Sequence, residues 1–350
     1  MPRPRPQIPA RRRSWECFID RNCNTRPLRL HCIFLHLRLG DAARAESRQS
    51  MSTLTLIAGC GYLGTVLARE ILSSGGQVLG LTHREESAAG LTSSGIPALA
   101  CDLSDPSSVS KIAANVRSAH PESELHLVHC AASGRGGRAP QYRAVYLEGC
   151  RNLRTAFPEA TRFFFTSSTS VYPHIAGEVV TEITPASPDR ETGQILRETE
   201  EETLAAGGLV GRLAGIYGPG RSVLLKNFLA GKSLIDVREE KPATPDGRWI
   251  NQIHVRDAAR AIFHLLRLDA YKFGPRLFNI TDSLPLLQRN VYTQLCQRFP
   301  VPFPREAPPD SDRKRGWTHK QVSNAQLRAT GWEPLFPDWF AGLKTLDLET

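Results

Sequence analysis

The chain alternates short apolar runs with stretches of helical periodicity from about residue 53 to residue 213. Each apolar run has the length of a strand, and several are rich in the branched and aromatic residues that buried strands favour. The predicted strands are residues 54–58, 77–82, 96–101, 125–130, 162–166 and 209–213. Helical stretches lie near residues 62–74, 86–94, 106–118, 140–156 and 193–206. This alternation predicts an α/β fold with a doubly wound parallel sheet and helices on both faces.

Beyond Gly218 the regular alternation gives way to shorter segments that are interrupted by proline. In this part we predict a short strand at residues 249–255 and helices at residues 258–268, 291–298 and 324–329. Such interrupted elements do not suit a second half of the same sheet. We therefore expect residues 51–230 to form the domain that carries the sheet. Residues 231–350 are expected to form a smaller C-terminal substrate lobe, with strands and helices shared with the sheet edge.

The first 50 residues differ in composition from the rest of the chain. They carry eleven arginines, no lysine and four acidic residues, a net charge of +7, which leaves only +2 of the total +9 for residues 51–350. Three interpretations of this leader stay open: an organelle transit peptide, a polyanion-binding arm, or a disordered or untranslated segment upstream of a start at Met51. Because the rest of the chain is nearly neutral, we expect no nucleic-acid partner.

The cysteines and the hydropathy of the chain exclude two further classes of protein. The eight cysteines include no CxxC pair and no histidines at zinc-ligand spacing, so we expect reduced thiols and no metal site. No apolar run approaches the roughly 20 residues that a membrane-spanning helix needs, so we expect no membrane partner. A cytoplasmic location follows, with organelle import through the leader as the alternative.

A glycine-rich turn joins the first predicted strand to the first predicted helix at Gly59, Gly61 and Gly64. A GxGxxG sequence indicates nucleotide binding when it lies between a strand and a helix, as it does here. The first glycine permits a tight turn, the second lets a diphosphate approach the backbone, and the third lets helix and strand pack closely. The pattern predicts a Rossmann-type NAD(P)-binding domain. Cys60 lies at the helix start, where a thiol pKa can be depressed, although the turn requires only a small residue there.

The end of the second predicted strand bears on the choice between NAD and NADP. It reads Thr82, His83, Arg84, with no acid until Glu85. An acid at this place binds the ribose 2′-hydroxyl, whereas a base accommodates a 2′-phosphate. Arg84 therefore favours NADP over NAD, unless it is only a solvated residue at the start of a helix.

Residues after the third and fourth predicted strands complete the expected cofactor site. Asp102 can accept a hydrogen bond from the adenine amino group, or it can serve as a helix cap or turn residue. The small side chains of Ala131 and Ala132 leave room for the cofactor. The predicted cofactor-binding residues are Gly59, Cys60, Gly61, Tyr62, Leu63, Gly64, Arg84, Asp102, Leu103, Ala131, Ala132 and Ser167.

Several segments, in order along the chain, resemble the extended short-chain dehydrogenase/reductases, which include the NAD-dependent epimerase/dehydratases. These segments are GCGYLG, CDLSD, HCAAS, FFFTSSTSVY, RLAGIYGPGR and NQIHVRDAARAI. They span most of residues 54–265, and the later FNITDS and QVSNAQLRATGWEP are similar to the family's atypical branch. The resemblance implies a bound NADP or NAD, hydride chemistry on a small molecule, and a homodimer formed through helices that flank the sheet.

The resemblance also implies a catalytic arrangement, and the chain departs from it. Ser168, four residues before Tyr172, would polarise the substrate carbonyl; a serine that caps a loop is the alternative. Family members place a Tyr-x-x-x-Lys pair at the start of the next helix, where lysine lowers the pKa of the tyrosine that passes the proton. No YxxxK sequence occurs in this chain. The corresponding positions are Asp189 and Gly193, or Thr192 and Leu196.

Other residues are candidates for roles in the same site. Tyr146 lies where the family usually has an asparagine, and its phenol can donate a proton; a buried core tyrosine is the alternative. By resemblance, Tyr172, Tyr217 and Arg221 would line the substrate side, with Arg221 able to bind a carboxylate or a phosphate. His254 would join them or only cap the following helix.

These observations lead to three hypotheses of function. The first is an NAD(P)-dependent oxidoreductase or epimerase/dehydratase that acts on a small carbonyl or sugar-nucleotide substrate. The second is a non-catalytic NAD(P)-binding sensor or scaffold, which the missing YxxxK pair favours. A third, nucleic-acid binding through the leader, is remote. The GRGGR sequence at residues 134–138 forms either a lid over an anionic substrate or a solvated turn.

Overall fold

Seven parallel strands form the central sheet in the computed structural model of the protein, which describes residues 52–134, 137–268, 274–310 and 316–346. In chain order the strands are β1 (Thr53–Ala58), β2 (Gln77–Thr82), β3 (Ala98–Ala100), β4 (Glu124–His129), β5 (Arg162–Ser168), β6 (Glu178–Val180), β7 (Leu209–Leu213), β8 (Gly215–Tyr217), β9 (Ile235–Asp236), β10 (Trp249–Ile250), β11 (Gln252–His254), β12 (Leu277–Ile280), β13 (Leu286–Leu287), β14 (Glu306–Ala307) and β15 (Lys320–Val322). The predictions for the leader lie outside the described residues.

Helices connect these strands and cover the sheet. They are α1 (Tyr62–Ser73), α2 (Glu85–Ser93), α3 (Pro106–Ala119), α4 (Ala139–Tyr142), α5 (Gly149–Ala156), α6 (Glu191–Ala205), α7 (Val223–Leu229), α8 (Val255–Arg267), α9 (Gln288–Arg298), α10 (Ala325–Arg328) and α11 (Trp339–Leu343). A π-helical turn, Arg143–Glu148, joins α4 to α5, and a 3₁₀ turn, Thr169–Val171, follows β5. Within the described ranges, none of the helices is both long and apolar enough to cross a membrane.

The order of the strands in the main sheet is β12, β7, β5, β4, β1, β2, β3, and all neighbours are parallel. The chain therefore builds the sheet outward from β1, first to one side through β2 and β3 and then to the other through β4. At such a reversal the connections leave the carboxyl ends of β1 and β4 in opposite directions, and a crevice opens between them.

The predicted Rossmann fold is confirmed, with three differences in its elements. The sheet has seven strands rather than six, because β12 from the C-terminal part pairs with β7. The strand expected at 249–255 is two short strands, β10 and β11, in different sheets. The helix expected at 140–156 is interrupted by the π-helical turn.

Both faces of the sheet are buried, because successive residues of β1 pack against helices on opposite faces. Leu54 and Leu56 pack with α3 and α5 on one face, and Ile57 packs with α1 and α8 on the other. Leu56 and Ile57 have no solvent exposure at all. A parallel strand covered on both faces reads as a continuous apolar run, which is why the run LTLIA was recognisable as a strand.

Candidate functional site

A cleft of about 1020 Å³ lies at the carboxyl ends of the central strands, where the fold opens its crevice. Most of the residues that the sequence singled out line it. They are Gly59, Cys60, Gly61, Tyr62, Leu63, Arg84, Asp102, Leu103, Ala131, Ala132, Tyr146, Ser167, Ser168 and Arg221. Its size is at the upper end of the range for small-molecule and cofactor pockets.

The three glycines of the turn have the three different environments that dinucleotide binding requires. Gly59 has a φ of +87°, and a Cβ there would lie 2.2 Å from the backbone of Ala131. A Cβ on Gly64 would lie 2.8 Å from the carbonyl oxygen of Gly59, so this glycine lets α1 pack closely on the turn. A Cβ on Gly61 would meet nothing within 4 Å. Gly61 thus leaves open, in the cleft, the space through which a diphosphate reaches the backbone.

The first turn of α1 adds positive potential to the same place. It carries no acidic residue, and its N-cap position is Gly61, which offers no side-chain cap. The unpaired amides of a helix start bind anions. Cys60 does not use this potential, because burial raises the pKa of its thiol to about 11. Cys60 is buried and packs against Gly80, in agreement with the alternative that the turn requires only a small residue there.

The end of β2 forms a polar corner of the cleft. His83, Arg84 and Ser87 line it together, and the hydroxyl of Thr82 donates to the carbonyl of Arg84 over 3.0 Å, which holds the turn. Arg84 is also the exposed residue that precedes α2. The sequence motif pointed to Arg84 alone, and the neighbouring His83 and Ser87 were missed although they lie within three residues of it.

Asp102 lines the cleft and also holds its own turn. One carboxylate oxygen accepts from the hydroxyl and the amide of Ser104, at 2.7 and 2.9 Å. These hydrogen bonds lower the pKa of Asp102, the hydroxyl contributing most. The helix cap at the start of α3 is Asp105, not Asp102. Asp102 is therefore ionised and rigid at the edge of the cleft.

Tyr146 and Ser168 both line the cleft. Tyr146 is only 5% exposed and lies in the π-helical turn, where the ring nitrogen Nε2 of His129 lies 2.9 Å from the carbonyl oxygen of Val145. Such turns inside helices frequently mark functional sites. Ser168 accepts a hydrogen bond from the amide of Ser170 over 3.2 Å, so it caps the 3₁₀ turn as well as facing the cleft.

Behind Ser167 lies a buried ion pair that the sequence did not reveal. The hydroxyl of Ser167 donates to Glu200 over 2.5 Å, and Arg212 donates to the same carboxylate through Nη2 at 2.6 Å and Nε at 3.0 Å. Arg197 also contacts Glu200. Glu200 is fully buried, and the side chain of Arg212 is 2% exposed and lies over the ring of Tyr172. Since Ser167 donates to a carboxylate, its oxygen is left as an acceptor towards the cleft.

Both alternatives for the absent catalytic pair lie in α6 or just before it. Leu196 lines the cleft wall, whereas Gly193 packs against Pro188. Neither Gly193 nor Leu196 can hold a ribose hydroxyl with a charge. Glu200 lies one helical turn beyond Leu196, away from the cleft lining.

Three residues that were expected on the substrate side do not line the cleft. Tyr172 donates to Asn279 and to the carbonyl of Thr181, each over 3.0 Å. Tyr217 donates to the carbonyl of Asp338 over 3.2 Å. His254 accepts from the amide of Arg256 at the start of α8 and bonds Thr345. All three are buried, so the structure supports core contacts for them, and the alternative of a helix cap for His254 is correct.

Residues distant in sequence also reach the cleft. Gln141 and Gln252 line it, as do Val223 and Leu224 at the start of α7. No local signal marked them, because each comes from an element that reaches the cleft only through the tertiary fold. Of the GRGGR sequence, Gly134 lines the cleft and Arg138 precedes α4, whereas residues 135 and 136 lie outside the described part of the chain. The lid and the turn stay alternative predictions.

A parallel sheet with this glycine-rich turn and this cleft defines a Rossmann-type dinucleotide-binding protein. The model of the NAD-dependent epimerase/dehydratase family matches residues 55–281, and the chain belongs to that family. It is 30% identical over 255 residues to Protein YeeZ of Escherichia coli K12. The matched region covers 69% of this chain and 82% of YeeZ.

Solved structures agree with this assignment. A protein of Methylobacillus flagellatus, provisionally described as an NAD-dependent epimerase/dehydratase, is 31% identical, with a TM-score of 0.64 over 84% of this chain and 96% of that one. The UDP-glucose 4-epimerase of Thermus thermophilus in complex with NAD is 21% identical, with a TM-score of 0.65 over 84% of this chain and 97% of that one. The second likeness concerns the fold alone.

Proposed function

We propose that the protein is an NADP(H)-preferring oxidoreductase or epimerase/dehydratase that acts on a small carbonyl or sugar-nucleotide substrate. The observation that carries this proposal is the cleft, which brings the glycine-rich turn, Arg84, Tyr146 and Ser168 to one cavity. A bound nicotinamide supplies or accepts the hydride. The chain must then bind the substrate, hold its oxygen and move one proton.

The proton-handling groups of this proposal are Tyr146 and Ser168. Both line the cleft, and both are more than nine-tenths buried, so they act in a site with little water. A hydroxyl hydrogen bond from Ser168 polarises a substrate carbonyl, and the phenol of Tyr146 donates the proton that the new alkoxide needs. In the reverse direction the same groups receive the proton of an alcohol. Tyr146 thereby takes the role of the tyrosine that is missing at Asp189 or Thr192.

The choice of cofactor gives a direct test of Arg84. Replacing Arg84 with alanine is expected to weaken NADPH binding about tenfold and to leave NADH binding nearly unchanged, because a charge-assisted bond to the 2′-phosphate is lost. Fluorescence titration with both reduced nucleotides measures this. Arg69→Ala, which removes an exposed arginine of α1 outside the cleft, is the matched control. Equal losses for NADPH and NADH would contradict the 2′-phosphate assignment.

The catalytic assignment is tested by turnover with a panel of aldehydes, ketones and sugar nucleotides. For the best substrate, Tyr146→Phe is expected to lower kcat about 100-fold, as is typical for the loss of a general acid, with cofactor affinity retained. Ser168→Ala is expected to lower it by a similar factor or less. Tyr142→Phe is the control, because the ring of Tyr142 packs at a tilt against that of Tyr146, with ring centroids 4.9 Å apart, but does not line the cleft. Unchanged turnover in the Tyr146→Phe, Ser168→Ala double variant would refute the assignment.

A second candidate function is a non-catalytic NAD(P)-binding sensor or scaffold. The observation that favours it is Leu196, an apolar residue in the cleft wall at one of the two candidate positions of the absent lysine. Tight cofactor binding, without oxidation or reduction of any member of the substrate panel, would support this candidate over the first. The cytoplasmic location and the homodimer stay predictions.

A further inference from the structure

The turn at residues 218–221 lies across the start of α1. The hydroxyl of Tyr62 donates to the carbonyl of Pro219 over 3.1 Å, and the guanidinium carbon of Arg221 lies 5.1 Å from the centroid of the Tyr62 ring. Gly218 and Arg221 close the turn with two backbone hydrogen bonds of 2.9 Å. A Cβ on Gly218 would lie 2.8 Å from the hydroxyl oxygen of Tyr62, so glycine is required for this approach.

Tyr62 lies between Gly61 and Gly64 of the glycine-rich turn, so the contact with its ring places Arg221 near that turn. Both residues line the cleft, as does Gly61, whose missing side chain leaves the open space beside the backbone. By resemblance, Arg221 was expected on the substrate side. Its position over the ring of Tyr62 instead places the guanidinium beside a residue of the glycine-rich turn.

The charges around Arg221 and the first turn of α1 favour the binding of an anion. Within the described ranges no carboxylate forms an ion pair with Arg221, and its side chain is exposed in the cleft. The first turn of α1 contributes unpaired amides and no acid. A guanidinium and a helix N-terminus therefore contribute positive potential to one space, and the ring face of Tyr62 stabilises the guanidinium without neutralising it.

We propose that Arg221 binds the diphosphate of the dinucleotide, opposite the amides of the glycine-rich turn. The inference rests on the proposed cofactor and deepens it. The planar fork of arginine suits two diphosphate oxygens at once. Tyr62 positions the guanidinium through its ring, and the cofactor then connects the turn at residues 218–221 to α1.

The test separates the diphosphate from the other parts of the cofactor. The full chain and its Arg221→Gln variant are titrated with NADPH, with ADP-ribose, which keeps the diphosphate and lacks the nicotinamide, and with adenosine 2′-monophosphate, which has no diphosphate. Arg221→Gln is expected to weaken the binding of NADPH and of ADP-ribose about tenfold to 100-fold. The binding of adenosine 2′-monophosphate is expected to weaken less than about twofold. Lys226→Gln, which removes an exposed cation of α7 outside the cleft, is expected to change none of them.

Two variants of Tyr62 test the positioning role. Tyr62→Phe keeps the ring face and is expected to bind ADP-ribose within about threefold of the wild type, whereas Tyr62→Leu is expected to lose about tenfold. If the wild type binds NADPH, and Arg221→Gln binds NADPH and ADP-ribose with the same affinities as the wild type, the inference is overturned while the proposed cofactor stands. If Arg221→Gln alters only the KM for the carbonyl substrate, the inference is also overturned, and Arg221 contacts the substrate instead. A folded wild type that binds no dinucleotide would overturn both proposals.

Discussion

Glu200→Gln is expected to lower the free energy of unfolding by about 3 kcal/mol, the lower end of what removing one partner of a buried ion pair costs. The substitution preserves the shape of the side chain and removes its charge. Arg212 would then keep a guanidinium at 2% side-chain exposure without a counter-charge. Its Nη1 atom already has no hydrogen-bond partner among the described residues, so the lost charge adds to an existing deficit at this guanidinium. Urea denaturation at equilibrium measures the change.

Glu198→Gln is the matched control for this prediction. Glu198 lies on the same helix, and its side chain is 41% exposed while it pairs with Arg143 and Arg151. Exposed pairs of this kind contribute about 0 to 1 kcal/mol, so the control is expected to unfold close to the wild type. Adding Arg212→Met to Glu200→Gln is expected to recover part of the loss, because the unpaired charge is removed. Equal stability of the two single variants would contradict the importance of the buried pair.

Gly61→Trp is expected to weaken NADPH and NADH binding by at least about 100-fold, because the indole fills the space through which the diphosphate reaches the turn. The protein should stay folded, since a Cβ at this position meets nothing within 4 Å. Calorimetric titration measures the binding, and thermal unfolding of the free protein checks the fold.

Gly90→Trp is a suitable control for the glycine replacement. Gly90 lies in α2, a Cβ there also meets nothing within 4 Å, and the residue does not line the cleft. The affinities of the Gly90→Trp variant for NADPH and NADH are expected to match those of the wild type. If Gly61→Trp retained wild-type affinity, dinucleotide binding would have to involve another surface of the protein.

The local part of the site was predictable from the sequence because neighbouring residues build it. Gly59, Gly61 and Gly64 lie within six residues, between a strand and a helix whose periodicities are themselves local. The turn after β2 is equally local, so Arg84 could be assigned to the cleft from the motif alone. The same reasoning identified six of the seven sheet strands.

The rest of the site depends on contacts between distant segments. Arg221 meets Tyr62 across 159 positions of the chain, and the pairing of β12 with β7 joins parts 60 to 70 residues apart. The local sequence of a short strand or an arginine is the same whatever partner it finds. Resemblance alone placed Tyr172, Tyr217 and His254 near the substrate, and their burial in the core could be seen only in the folded chain.

The sequence by itself determined the class of fold, the positions along the chain of six of the seven sheet strands, and the glycine-rich turn. These follow from hydrophobic periodicity and backbone sterics, which act over a few residues. The tertiary structure decided which polar side chains come together at the end of the sheet: Ser167 contacts Glu200, which pairs with Arg212, Arg221 lies over Tyr62, and Tyr146 and Ser168 line one cleft. Their interactions depend on distance in space, and the packing of the sheet and its helices sets those distances.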